Sequence, residues 1–73
     1  MTTIDTVMPR TDGEKLRTLR EARFLSHRDL AKRADVSPTT VLNLEAGRVE
    51  AQRRTVRKLA EALGVDPAEL VEH

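Results

Sequence analysis

The sequence has no cysteine, no tryptophan and no tyrosine, and Phe24 is its single aromatic residue. Without cysteine no disulfide and no thiolate metal site can staple the fold. Two histidines, His27 and the terminal His73, are too few and too far apart for a histidine zinc site. The near absence of aromatics excludes the base-stacking surface that single-strand binders use. Charge of one sign is also missing. Thirteen Lys and Arg stand against twelve Asp and Glu, a net charge of +1. Overall charge therefore does not announce a nucleic-acid partner, and any such reading must rest on local distribution. No apolar run approaches the roughly 20 residues of a membrane span. The first residues carry no apolar core of a secretory signal. The cytoplasm is the expected compartment, with no membrane partner.

Charged residues make up 34% and apolar residues 38% of the 73 positions. That balance suits one small helical domain rather than a disordered tail. A chain this short buries only about 60% of its unfolded surface, so its stability margin is thin.

Residues 1–10 show no period and end in Pro-Arg, which predicts a flexible N-terminal arm before a domain at 11–73. Thr11-Asp12-Gly13-Glu14 has the form of a capping box with Thr11 as N-cap. A helix is expected from there to about Arg23, with Leu16, Leu19 and Ala22 inward. Ser26 and Asp29 repeat the start signal for a short second helix with Leu30, Ala31 and Ala34 on its apolar side. Asp35-Val36 breaks it. Ser37-Pro38 then supplies a capping hydroxyl and a proline at the first helical position. Val41 and Leu44 point inward from this third helix, and Gly47 is placed to end it in the left-handed conformation. A fourth helix is expected over about Arg53–Leu63, closed by Gly64. Asp66-Pro67-Ala68-Glu69 caps a short fifth, containing Leu70 and Val71. The expected fold class is all-α, five short helices around leucine, valine and alanine.

A very short turn between the second and third helices forces a large crossing angle rather than an antiparallel hairpin. The segment Leu25-Ser-His-Arg-Asp-Leu-Ala-Lys-Arg-Ala-Asp-Val-Ser-Pro-Thr-Thr-Val-Leu-Asn-Leu-Glu-Ala-Gly47 closely resembles the helix-turn-helix of the phage Cro/repressor family, also called the XRE family. The resemblance covers roughly residues 13–72. It takes in Glu14–Arg23, the Leu30-Ala31 pair, the Glu45-x-Gly47 exit and the Lys58–Val65 tail. It implies a lambda-repressor-like domain whose third helix enters the DNA major groove.

With Val41 and Leu44 inward, helical spacing turns Pro38, Thr39, Leu42 and Asn43 outward. These match the family's base-reading positions. Asn43 has the paired donor and acceptor that adenine presents, and Thr39 can bond a base edge or offer its methyl to thymine. Pro38 and Leu42 stand where the family usually carries polar residues. Leu42 either meets a thymine methyl, joins a protein interface or packs on a neighbour; Pro38 serves at least as a helix start. His27 occupies a position where the family typically has glutamine, at the start of the second helix. There the resemblance implies a phosphate contact, with a solvated surface histidine as the alternative, and Arg28 beside it adds a firmer positive charge. Residues 48–58 hold Arg48, Arg53, Arg54, Arg57 and Lys58 against Glu50 alone. Arg48 and Arg53 fit the family's phosphate-contacting loop and helix start, whereas Arg57 and Lys58 also suit an ordinary solvated face. The family pairs an arginine late in the first helix with the glutamate of the exit motif. Arg20 and Glu45 stand at those positions and are read as a structural ion pair.

Two function classes follow. The first is a transcription regulator binding double-stranded DNA, a homodimer on a palindromic operator. Leu70 and Val71 are its expected dimer surface. The second is a protein-interaction module on the same scaffold, such as the antidote half of a toxin pair. No paired acid and base, nucleophile with a base, phosphate-cradling glycine loop or metal-ligand spacing is present, so neither an enzyme nor a cofactor is expected.

Overall fold

The computed structural model describes residues 10–72. Four α-helices follow one another: α1 (Gly13–Ala22), α2 (His27–Ala34), α3 (Pro38–Glu45) and α4 (Arg53–Leu63). The fifth element is a single 3-10 turn, Pro67–Leu70, and not an α-helix. Asp66 caps it through a bond from the Ala68 amide, and four residues are too few to propagate an α-helix. No described residue belongs to a strand, and no helix among them is long and apolar enough to cross a membrane. The expected arm lies outside the described residues except for Arg10. That residue is tied down, its carbonyl accepting from the Glu72 amide at 2.8 Å.

Local chemistry explains each start. Ser26 and Asp29 form a reciprocal capping box at α2, the Ser26 hydroxyl taking the Asp29 amide and the Asp29 carboxylate taking the Ser26 amide. That backbone bond holds the Asp29 carboxyl below its ordinary range. Ser37 caps α3 ahead of Pro38. At α1 the expectation is corrected: Asp12, not Thr11, is the N-cap, accepting from the Lys15 amide at 3.1 Å. Thr11 is drawn instead into an antiparallel bridge with Val71.

All four helices end in one way. In each, the amide following a left-handed residue donates to the carbonyl five residues back, and the left-handed residue's own amide donates to the carbonyl three back, the Schellman pattern. The left-handed positions are Phe24, Asp35, Gly47 and Gly64, with φ of 56°, 59°, 74° and 73°. Glycine costs nothing there and aspartate little, but a bulky aromatic is out of place.

The core consists of Leu16, Leu25, Leu30, Ala31, Ala34, Val41, Leu44, Val56, Leu59, Ala60, Leu63 and Leu70, all below 9% exposure. α2 packs on α3 and α4, and α1 on α3, while the 3-10 turn closes the end formed by α1 and α4. Ala22, expected inward, is exposed; Arg20 and Leu25 take its share of the interior. Leu70 is fully buried within the single chain, which removes it from the expected dimer surface.

Candidate nucleic-acid interface

The site is the outward surface of α3 together with the helix starts beside it in sequence. Val41 and Leu44 are buried at 0% and 1% and anchor the helix. On the other side Pro38 and Thr39 are exposed, Leu42 is half-exposed at 48% and Asn43 is partly exposed. Nothing among the described residues hydrogen-bonds the Asn43 carboxamide or the Thr39 hydroxyl. These are short polar groups on a rigid helix, available to an external partner.

Rigidity comes from an ion pair that crosses from α1 to α3. Arg20 presents its guanidinium edge-on to Glu45, with Nε–Oε2 at 2.6 Å and Nη2–Oε1 at 3.1 Å. Its Nη1 donates to the Leu25 carbonyl at 2.7 Å. Both side chains are below a tenth exposed. The bonds to Glu45 hold Arg20 above its ordinary range, outweighing the opposing effect of burial. A planar fork with three satisfied donors ties the end of α3 to the turn before α2, which point attraction from a lysine would not do.

A second device seats α3 on α1. Gly13, the first residue of α1, faces the last carbonyls of α3. A Cβ there would collide with the Leu44 carbonyl oxygen and lie 2.8 Å from that of Glu45. The sequence signal was available, a glycine where helix propensity disfavours one, yet nothing local says what approaches it.

The basic residues divide into two groups. Arg28, Arg48 and Arg53 are exposed and make no ion pair among the described residues. Arg28 follows the first residue of α2, Arg48 lies in the loop after α3 and Arg53 opens α4. Lys58 lies 3.9 Å from Asp35, at the far end of α2. His27 has a partner that sequence reasoning did not foresee: its Nε2 lies 3.1 Å from Glu45 Oε1. Glu45 therefore gathers α1, α2 and α3 on one carboxylate. Beside it lies an open cleft of about 420 Å³ lined by Arg17, Arg20, Glu21, His27, Leu42, Glu45 and Ala46. Leu42 thus borders the ion-pair network as well as the open face of α3. Phe24 is 94% exposed.

A four-helix domain with a capped helix, a tight turn and a second helix held by a buried Arg–Glu fork defines the helix-turn-helix class. The family model described as a helix-turn-helix domain matches residues 13–73, and the chain belongs to that family, in its Cro/repressor branch. Among solved structures it is similar to the restriction-modification controller protein C.AhdI from Aeromonas hydrophila. That match has 35% identity over 78% of this chain and 86% of that one, with a TM-score of 0.76. It is also similar to the P22 c2 repressor in complex with a synthetic operator, at 25% identity over 82% and 91% of the two chains and a TM-score of 0.78. A hydroxyethylphosphonate dioxygenase matches with 26% identity and a TM-score of 0.75. There 88% of this chain aligns with only 14% of the enzyme, so the likeness concerns a small part of it. No curated protein sequence matches.

Proposed function

We propose that the chain is a sequence-specific, DNA-binding transcription regulator that lays α3 in the major groove. The observation that carries this reading is the outward face of α3, where Thr39 and Asn43 stand unpartnered on a helix locked from behind by Val41, Leu44 and the Arg20–Glu45 fork. Asn43 pairs with an adenine edge and Thr39 with a neighbouring base. Leu42 and Pro38 supply apolar contact to thymine methyls. Arg28, Arg48 and Arg53, free of ion pairs among the described residues, clamp backbone phosphates together with His27. The likeness to the P22 c2 repressor, solved in complex with a synthetic operator, supports DNA as the partner.

The regulator works in the cytoplasm as a homodimer on a two-fold operator, its two reading helices about 34–36 Å apart, one DNA turn. With Leu70 spent inside the protomer, exposed Val49 and half-covered Val71 are among the apolar side chains left for a second copy. The deciding experiment separates reading from clamping on duplexes enriched from a random pool. Asn43→Ala is expected to cost about 1–3 kcal/mol on the preferred site only and to relax one base position. Arg53→Ala is expected to weaken all sequences alike and to lower the salt slope by about 0.9. Equal, sequence-blind losses from both would refute base reading by α3.

The interaction-module reading keeps one observation of its own, the 94% exposure of Phe24 on an unfavourable backbone. It gains ground if Leu42→Ala or Phe24→Ala abolishes capture of a protein partner and leaves DNA affinity unchanged.

A further inference from the structure

His27 is the first residue of α2, with its ring at the cleft between α1 and α3. Its Nε2 lies 3.1 Å from Glu45 Oε1, an oxygen that also accepts from Arg20 Nη2 at 3.1 Å. A carboxylate in an ion pair can only accept, so Nε2 must carry the hydrogen. In the neutral ring that leaves Nδ1 as a bare lone pair. A phosphate oxygen is likewise an acceptor. Neutral His27, held as it is here, therefore has no ring N–H to give a phosphate.

We propose that His27 couples DNA binding to the uptake of one proton. The imidazolium gives one ring N–H to Glu45 and the other to a backbone phosphate, which the neutral ring cannot do. The proposal rests on the DNA-binding reading above and adds a regulation to it. The side chain is 39% exposed, so the ring is open to a ligand while still anchored by Glu45.

Arg17, Arg20 and Glu21 from α1 and Glu45 from α3 line the cleft with His27, two cations against two anions. On α2 itself Arg28 is adjacent, and Asp29 is committed to the Ser26 amide at 3.1 Å. α4 contributes no charged residue to the cleft lining. An arriving phosphate breaks this balance and favours the charged ring. It also meets the free amides at the start of α2, where an anion is stabilised. Histidine is the side chain whose unperturbed charge change lies between about pH 5 and 8. A glutamine at this position would donate to phosphate at every pH, and the histidine makes the contact conditional.

The test measures binding of a random-sequence DNA duplex at constant salt from about pH 6 to about pH 8, for the wild type and for His27→Gln. Thermal melts establish that both are folded at each pH. One linked proton makes wild-type affinity fall by up to about tenfold more per pH unit than that of the variant. The salt slope of the wild type should also steepen by about 0.9 at the acid end, one added phosphate contact. Equal pH profiles for the two proteins overturn the proposal and leave the DNA reading standing. Absence of DNA binding by both at low salt overturns the DNA reading, and the proposal falls with it. A further arm needs no DNA. Nitrogen-15 shifts of the free protein's imidazole at about pH 8 should report the tautomer protonated at Nε2. The tautomer protonated at Nδ1 would also refute the proposal.

Discussion

Replacing Arg20 by alanine tests the device that holds the reading helix. The guanidinium makes two bonds to Glu45 and one to the Leu25 carbonyl, and neither ionic side chain is more than 9% exposed. Truncation removes all three bonds at once. Glu45 is left as a buried carboxylate with His27 as its remaining hydrogen-bond partner, and the Leu25 carbonyl loses its side-chain donor. Breaking a buried pair from one side costs about 3–5 kcal/mol, because the other charge stays behind without compensation. At roughly 0.05–0.15 kcal/mol per residue, a domain of this size holds only about 4–11 kcal/mol in total. Each kcal/mol lost lowers the melting temperature of such a domain by about 4–8 °C, so a fall of roughly 12–40 °C is expected. Arg20→Lys should fall between, keeping the charge and losing the fork. The double variant Arg20→Met with Glu45→Met is the control. It removes both charges together and should recover most of the loss, since a well-packed apolar pair often replaces a buried ion pair without penalty. The assay is thermal unfolding followed by circular dichroism. An Arg20→Ala melt within a degree or two of wild type would refute the reasoning, as would a double variant no more stable than the single one.

Gly13→Ala places a Cβ against the Leu44 and Glu45 carbonyls, backbone atoms with no rotamer to escape into. The expected loss is about 1–3 kcal/mol, and a neutral urea-unfolding midpoint would show that α1 and α3 are not so closely seated. Phe24→Gly should have the opposite sign. The phenyl ring buries almost nothing at 94% exposure, and a left-handed L-residue pays about 1–2 kcal/mol that glycine avoids. Allowing for the extra freedom of glycine in the unfolded chain, a gain of about 0.5–1 kcal/mol is expected, read as a higher melting temperature.

What the sequence determined is what lies within a turn of helix. The Ser26–Asp29 box, the Ser37-Pro38 start and the glycines at 47 and 64 set boundaries because their bonds span at most five residues. The outward direction of Thr39 and Asn43 follows from the inward direction of Val41 and Leu44, a matter of helical geometry alone. Helix α1 shows where this stops. Thr11 and Asp12 are both competent caps, and nothing local chooses between them. The choice came from the far end of the chain, where the Leu70 carbonyl takes the Asp12 amide and Val71 pairs with Thr11. The same closure buried Leu70, which from its position alone suited an interface equally well. Only the packed structure put His27 on Glu45, eighteen residues away, and Gly13 under the end of α3. Such contacts depend on how whole helices are oriented. That orientation is set by the combined burial of a dozen core side chains, a sum that no single stretch of sequence contains.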